Sequence, residues 1–515
     1  MAISYEILGG NWYPRWLSLA NFGKGDPFLN FYSPGFYLTA GYLSALGIPI
    51  LVAIKAICIA LFALGAWGMY LWLSVHYGVF GALLSAVLYL FAPYHFVDVY
   101  VRGAMAEFSA LAFLPFLFYG MDLSFRPDQR WKGITITGVA TAAIILLHNL
   151  SALMITPFAV VYFIREAYVA NLIKSELLKI STGPLLGMGL AAFYWLPVLL
   201  ERGVLNNFES KMTSGDYDIA KHFITPQDWF SSSWGFGSSG VGQANHLSYQ
   251  IGMALLLFFV AALVKNCLFA ARDRGFVILL ALLGSSALFL TIDLSTPFYK
   301  IFTLYRHVQF PWRFLGPASL FMAATAGALA CPRIIGRYPA RLIILIVATV
   351  IFCIFSSTGQ RSVVWRFTED YIANEIVKKS DNIGAMTVAN DYLPRWVDNE
   401  KIINLVLPNE PFAPTARIEG LRVGASRMTF TASSDQELSL ITFPWFYFPG
   451  FRVRVDDEVQ DLKPDQYGFM AFALPFGSHR VELFFGTTPA RVTGWGISIV
   501  TLMALFVYRR HIIST

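Results

Sequence analysis

Long apolar runs separated by short polar loops dominate the first 355 residues of this chain. A helix that crosses a bilayer needs about 20 predominantly apolar residues. Runs that meet or approach this length lie at 50–73, 78–91, 104–120, 133–147, 151–164, 180–200, 248–264, 275–290, 314–329, 342–355 and 492–508. They predict about eleven spanning helices, with ends good to a few residues. The runs before Pro93 and around His148 are short, so those helices are expected to extend into their polar flanks. After Phe355 the pattern changes. Residues 372–390 are mixed and polar, and Asp391-Tyr-Leu-Pro-Arg-Trp396 forms an aromatic, proline-containing turn. From about 415 onward the period is two, over 416–423, 427–431, 437–443, 452–456, 469–474 and 480–485, with turn residues between. Alternation at this spacing predicts an antiparallel β-sandwich. The pattern gives four parts: a first-loop segment 1–49, a transmembrane domain 50–357, an outer domain 358–489, and a last helix with its tail, 490–515.

One stretch fits neither period. Asn11–Tyr37 contains Trp12-Tyr-Pro-Arg-Trp16, Phe22-Gly-Lys-Gly-Asp-Pro-Phe28 and Asn30-Phe-Tyr-Ser-Pro-Gly-Phe-Tyr37. It is too rich in Pro and Gly for a spanning helix and too aromatic for a solvated tail. Trp and Tyr favour the membrane boundary, where ring and polar tip are both satisfied. The stretch reads either as an anchoring belt or as a cover over a site.

Composition strengthens the membrane reading. Of 515 residues, 56% are hydrophobic and only 14% charged, against about 25% charged in soluble domains. Mean hydropathy is +0.56. The net charge of +6 comes with no basic run, which excludes a nucleic-acid partner. Cys58, Cys267, Cys331 and Cys353 all fall in or beside apolar runs, so no disulfide framework is expected. Basic residues alternate between loops. Arg126, Arg130 and Lys132, then Arg165, Lys174 and Lys179, then Lys265, Arg272 and Arg274, then Arg333, Arg337 and Arg341, then Arg509 and Arg510 mark one side. The positive-inside rule makes that side cytoplasmic. It places the first segment, the loops 94–103, 148–150, 201–247 and 293–312, and the segment 356–488 outside a cytoplasmic (inner) membrane. An outer first segment without a cleavable signal is expected to follow a further spanning helix upstream.

Ionisable groups at the ends of spanning helices are costly unless paired or wet, so each is a candidate. Asp98, Arg102 and Glu107 lie in one outer turn. Glu107 can pair with Arg102 at the helix start, or act with Asp98 as a base or metal ligand. His148 sits where two helices meet, as a structural cap or a catalyst. Glu201 follows Phe193-Tyr-Trp-Leu-Pro197 beside Arg202, where it makes a local ion pair or faces the same cavity. In His307-Val-Gln-Phe-Pro-Trp-Arg313, Arg313 opens a helix next to Gln309 and Trp312, and its fork of donors suits a phosphate or a lipid head group. Gly235-Phe-Gly-Ser-Ser-Gly240 matches a dinucleotide fingerprint, but no strand precedes it, which rejects a nicotinamide cofactor.

Taken together, Trp12-Tyr-Pro-Arg-Trp16, Phe31-Tyr-Ser-Pro34, Tyr100-Val-Arg-Gly-Ala-Met-Ala-Glu107, Leu147-His-Asn-Leu-Ser151, Ala192-Phe-Tyr-Trp-Leu-Pro197, Gln309-Phe-Pro-Trp-Arg313 and Asp391-Tyr-Leu-Pro394 resemble one bacterial membrane-protein family. Its domain is labelled 6-pyruvoyl-tetrahydropterin synthase-related. None of the eight histidines forms a close ligand cluster in the sequence, so the label implies no pterin chemistry. The architecture is similar to the C-type glycosyltransferase superfamily, which uses an outer active site and a polyprenyl-phosphate-linked sugar. The resemblance implies a catalytic role for Asp98, Glu107 and His148, with Asp98 also holding a divalent metal, Mg or Mn. It implies substrate contacts for Arg15, Trp16, Tyr32, Arg102, Glu201, Gln309, Trp312 and Arg313. The expected partners are membrane lipids, the lipid-linked sugar, and a glycan, lipid or protein acceptor. The first-loop acid of that superfamily has no counterpart but Glu6. A non-enzymatic transporter or scaffold for lipid-linked glycans needs no such acid and is the rival expectation.

Overall fold

The computed structural model describes residues 1–206, 213–231, 234–235, 239, 247–268, 274–330, 343, 346–352, 392–397 and 410–513. Six residues of the predicted span 342–355, the polar segment 372–390, and most of Gly235–Gly240 lie outside the described residues. The main helices are α1 (Ala2–Leu8), α2 (Gly35–Ala45), α3 (Ile50–Leu90), α4 (Met105–Leu111), α5 (Leu114–Ser124), α6 (Arg130–Leu147), α7 (Asn149–Ala170), α8 (Lys174–Leu190), α9 (Ala192–Glu201), α10 (Met253–Leu268), α11 (Arg274–Phe289), α12 (Leu315–Ala326) and α13 (Pro489–Ile513). Among the described residues, five segments are long and apolar enough to cross a membrane: Ile50–Arg102, Met105–Ser124, Pro127–Leu147, Asn149–Ala170 and Pro489–Val507. There are six if α8 and the bent continuation Ala192–Val204 count as one.

Two predicted spans, 50–73 and 78–91, are one 41-residue helical run in α3. The break between them survives as a kink at Gly78, whose φ of 72° and ψ of −174° no β-carbon-bearing residue adopts readily. The predicted span 180–200 is likewise split, at Ala191 between α8 and α9.

The chain divides into two compact units. The larger, residues 55–191, 212–364 and 500–515, is helical. Its core joins Trp72, Tyr89, Phe118, Tyr162, Phe276, Trp312 and Phe321, with every residue of α12 buried. Glycines bring its helices close. A β-carbon on Gly133 would meet the Ser124 backbone nitrogen at 2.2 Å, and one on Gly187 would meet the Gly138 carbonyl at 2.5 Å. Without a hydrophobic force between helices in lipid, such close backbone approach supplies the packing attraction.

The smaller unit, residues 1–54, 192–211 and 365–499, holds the sheet together with the aromatic N-terminal segment and α9. Its strands are β1 (Ala416–Gly424), β2 (Arg427–Phe446), β3 (Phe451–Val455), β4 (Glu458–Gln460), β5 (Lys463–Pro464) and β6 (Phe469–Phe485). They form one antiparallel sheet in the order β1-β2-β6-β3-β4, with β5 also on β6. The alternation behaves as expected, since Met428, Phe430, Ala432 and Ser434 of β2 all point inward. The predicted pairs 427–431 with 437–443, and 469–474 with 480–485, are instead two continuous strands. The turn-like residues between them sit at a register shift, where Ser434 pairs with Gly477 and Leu438 with Pro475. Pro and Gly at a bulge bend a ribbon without ending it.

The N-terminal segment is packed into this unit. Trp16 is fully buried, stacked on Phe448 at 5.7 Å and edge-on to Phe451 at 5.1 Å. Trp12 is exposed and lies 5.1 Å from Trp495, which in turn stacks on Phe193 at 4.5 Å. This aromatic group surrounds the beginning of α13, as a membrane-boundary belt would.

Two measurements test these contacts. Gly133→Val is expected to lower stability by about 1–3 kcal/mol through overpacking, read as a lower melting temperature in detergent. On the exposed side of the sheet, His479 Nδ1 lies 2.6 Å from Asp456 Oδ2. The hydrogen bond to Asp456 raises the imidazole above its ordinary 6.5, and the same bond lowers the carboxyl below 3.8. The histidine contribution is present below 6.5 and lost as pH rises through its folded value. The aspartate contribution is present above 3.8 and lost as pH falls through its folded value. An NMR titration should therefore place His479 above 6.5, and Asp456→Asn should return it towards 6.5.

Candidate functional site: a buried charge cluster

The larger unit concentrates its buried charge where α3 gives way to α4. Pro93 at the first turn of Pro93–Phe96 stops α3 from continuing, because it cannot donate to the ladder. Val97–Arg102 then winds as a π-helical turn, closed by Gly103 at φ 62°. Such turns recur at functional sites. Here the turn carries Asp98 and Arg102 to the same side, and Glu107 follows in the first turn of α4. From the other direction, Pro311–Phe314 forms a short 3-10 turn, with Pro at its first position, that delivers Trp312 and Arg313.

These residues meet. Arg102 Nη1 donates to Asp98 Oδ1, and its Nη2 donates to Glu107 Oε2 at 3.0 Å. Arg313 Nε lies 3.2 Å from the same Glu107 oxygen, close enough for charge attraction but not aligned as a hydrogen bond. The hydroxyl of Tyr94 donates to Glu107 Oε1 and accepts from Arg102. Asp98 is fully buried and Glu107 is 1% exposed. Two carboxylates face two guanidiniums, so the formal charges cancel. Aromatic faces cover the cations: Arg102 lies 4.5 Å from the Trp312 ring centre and Arg313 4.8 Å from that of Phe310. Arg313 is further fixed by the carbonyl of Val308 at 2.8 Å and by Gln309 Oε1 at 3.3 Å.

Asp98 Oδ2 is buried and accepts no hydrogen bond among the described residues. An ionised carboxylate accepts at both oxygens, so a buried orphan is a position where a donor is missing. Trp312 Nε1 is a second orphan in the cluster, this time a donor.

His148 is buried and caps α7. Its Nδ1 accepts from the Ser151 backbone N–H at 3.2 Å and lies 2.8 Å from the Ser151 hydroxyl. With that nitrogen acting as an acceptor, the ring proton belongs on Nε2. As folded, His148 can donate through Nε2 but cannot take a proton at Nδ1 without giving up the cap.

The remaining sequence candidates lie in the smaller unit and form a different constellation. Glu201 Oε2 accepts from Asn30 Nδ2 at 2.9 Å and from Arg491 Nη2 at 3.0 Å, while Thr488 donates to its other oxygen. Arg15 donates to Asn30 Oδ1 at 3.1 Å and to the Phe193 carbonyl at 2.6 Å. Local pairing of Glu201 with Arg202 is replaced by this longer-range pair. Trp16 is packed so tightly that a β-carbon on Gly25 would fall 2.0 Å from its ring. Tyr32 stacks on Phe28 at 5.0 Å. Glu6 accepts from the Ser18 backbone and hydroxyl and from Ser426 at 2.7 Å, which commits it within the unit. Sequence reasoning passed over Asn30, Tyr94 and Arg491. Only Arg491 carried a signal, as an ionisable group in the first turn of an apolar helix.

Among the described residues, no three His, Cys, Asp or Glu side chains lie close enough to hold a metal.

A helical unit with several membrane-length apolar helices and an internal charge cluster, joined to an antiparallel sheet, defines an integral membrane protein. The chain belongs to the family described as "6-pyruvoyl-tetrahydropterin synthase related domain; membrane protein", which matches residues 29–364. A search of curated proteins and a search of solved structures each give no match.

Removing one partner from a buried ion pair leaves an uncompensated charge, at a cost of about 3–5 kcal/mol. Arg102→Ala is expected to destabilise by that order, measured by thermal unfolding in detergent. Arg395→Ala, at an exposed residue of the other unit, should shift the midpoint little.

Proposed function

We propose that this protein is a membrane glycosyltransferase of the C-type architecture, moving a sugar from a polyprenyl-phosphate donor to an acceptor hydroxyl outside the inner membrane. The observation that carries this reading is the orphan Oδ2 of Asp98, a buried carboxylate oxygen anchored through its neighbour and lacking a donor. An acceptor hydroxyl would supply that donor. In the reaction its proton passes to Asp98, its oxygen bonds the sugar's anomeric carbon, and the bond from that carbon to the phosphate oxygen breaks. The departing polyprenyl phosphate carries its negative charge towards Arg313, whose Nη2 is uncommitted among the described residues. Asp98 is the residue that would hold a Mg or Mn ion, and such an ion would supply further charge stabilisation.

The same reading keeps about eleven crossings. The kinked α3 counts as two, the shorter α10, α11 and α12 as one each, and 342–355 as another. The cluster then opens outward and the sheet, bent at its bulges into a sandwich, lies outside with the N-terminal segment. The basic loops remain cytoplasmic.

A second reading, a transporter or scaffold for lipid-linked glycans, has its own support. Each carboxylate already faces an arginine, and His148 is engaged as a cap. Membranes carrying the protein separate the two when supplied with a lipid-linked sugar. The enzyme reading expects transfer that falls by roughly 10²–10⁴-fold in Asp98→Asn, with a smaller loss in Arg313→Ala. Undiminished transfer in both variants removes the site assignment. Retention of the lipid-linked sugar without any transfer by the unaltered protein favours the transporter.

A further inference from the structure

Within the larger unit, one face of α7 packs into the core through Met154 and Phe158, and the helix is tied to its neighbours near both ends. At one end the His148 turn joins it directly to α6. Towards the other, the Tyr162 hydroxyl donates to Asp122 of α5 at 2.6 Å and accepts from Trp72 of α3 at 3.1 Å. His76 Nε2 completes that tie, 2.6 Å from the same carboxylate. Midway sits Pro157, which has no N–H to give the Leu153 carbonyl. The freed carbonyl accepts instead from the Tyr305 hydroxyl at 3.3 Å. Helices α6 and α8, by contrast, approach through Gly138, Gly183 and Gly187. The result is a groove of about 420 Å³ between α7 and the α6–α8 pair, floored by α5 and lined by residues such as Ile144, Ala152, Ala159, Phe163, Pro184 and Met188.

The groove offers water almost nothing. The Thr156 hydroxyl is spent on the Ala152 carbonyl at 2.7 Å and that of Ser181 on the Leu177 carbonyl at 2.9 Å, which leaves the buried Thr141 Oγ1 as the one unpartnered hydroxyl among the lining residues. A buried water needs two to four polar partners. An empty groove of this size would forfeit dispersion contacts along its whole lining. The helices around it are of membrane-spanning length, so the medium that meets it is hydrocarbon. Its extent along α7, from Ala152 to Phe163, is about 16 Å at a rise of 1.5 Å per residue. That matches one leaflet, half of a hydrocarbon core about 30 Å thick.

We propose that this groove is a binding site for one acyl chain of a bilayer phospholipid, held as a resident lipid between α7 and α8. The match to a single leaflet selects an ordinary acyl chain over a polyprenyl tail, which is several times longer. The site depends on the prolines and ties described above, not on Asp98.

The test uses the full-length protein in vesicles containing a phospholipid with a diazirine midway along one acyl chain. After irradiation, labelled peptides are mapped by mass spectrometry. Label is expected within 141–163 and 181–188, in excess over the exposed α13 residues Ile499, Val500, Leu502, Met503, Phe506 and Val507. Ala159→Trp should reduce groove labelling at least ten-fold and leave the α13 label unchanged, while Ala159→Ser should retain both. If the tryptophan lowers the yield of folded protein, Ala152→Phe is read in its place. Groove labelling no higher than that of α13, or unaffected by either bulky variant, overturns the proposal. So does label displaced by polyprenyl phosphate but not by excess unlabelled phospholipid, which would make the groove a substrate-tail site.

Discussion

A carboxylate cannot be kept in a hydrocarbon-walled interior without a cation or a set of donors beside it, and this constraint shapes both compact units. In the larger one, Asp98 and Glu107 are held only because Arg102 spans them and Arg313 closes from another part of the chain. The local backbone follows from that need. A π-helical turn, a left-handed glycine and a proline-led 3-10 turn are all departures from regular helix, and together they bring four charged side chains within reach of one another. A regular helix would also set Asp98 and Arg102 on one face, four residues apart. It is the left-handed turn at Gly103 that lets the next helix bring Glu107 to the same guanidinium.

The smaller unit solves the same problem with a different set of partners. Glu201 is shared between an amide, a hydroxyl and Arg491, and the amide of Asn30 passes the interaction on to Arg15. This explains why the aromatic stretch at the start of the chain folds with the sheet rather than lying loose. Its polar residues are bound into a network while Trp16 and Phe31 enter the sheet's core.

Spans and alternating strands were legible because burial in lipid or against a sheet leaves a period in the sequence. The ends of elements were less so. Pro475 and Gly477 carry the same signature whether a strand stops or bulges, and only pairing opposite Leu438 and Ser434 separates the two. The two spans 50–73 and 78–91, read as separate in the sequence, are parts of one helical run, kinked at Gly78. For the site, Asp98, Arg102, Glu107 and Arg313 stand out in the sequence as charges at helix ends, and the fold brings them within reach of one another. What no local pattern held was the commitment of each group. His148 reads the same in sequence as a cap or as a base, and Glu201 looks like the partner of Arg202 until Arg491 is seen beside it.

The Glu201–Arg491 pair joins residues 290 positions apart. A ribosome adding about 5–20 residues per second needs about 15–60 seconds to cover that interval. For that time the nascent chain carries a carboxylate destined for burial with only Asn30 made early enough to accompany it. The unit therefore cannot close in the order in which it is synthesised. Its N-terminal part must wait, wet or chaperoned, for the last helix to arrive.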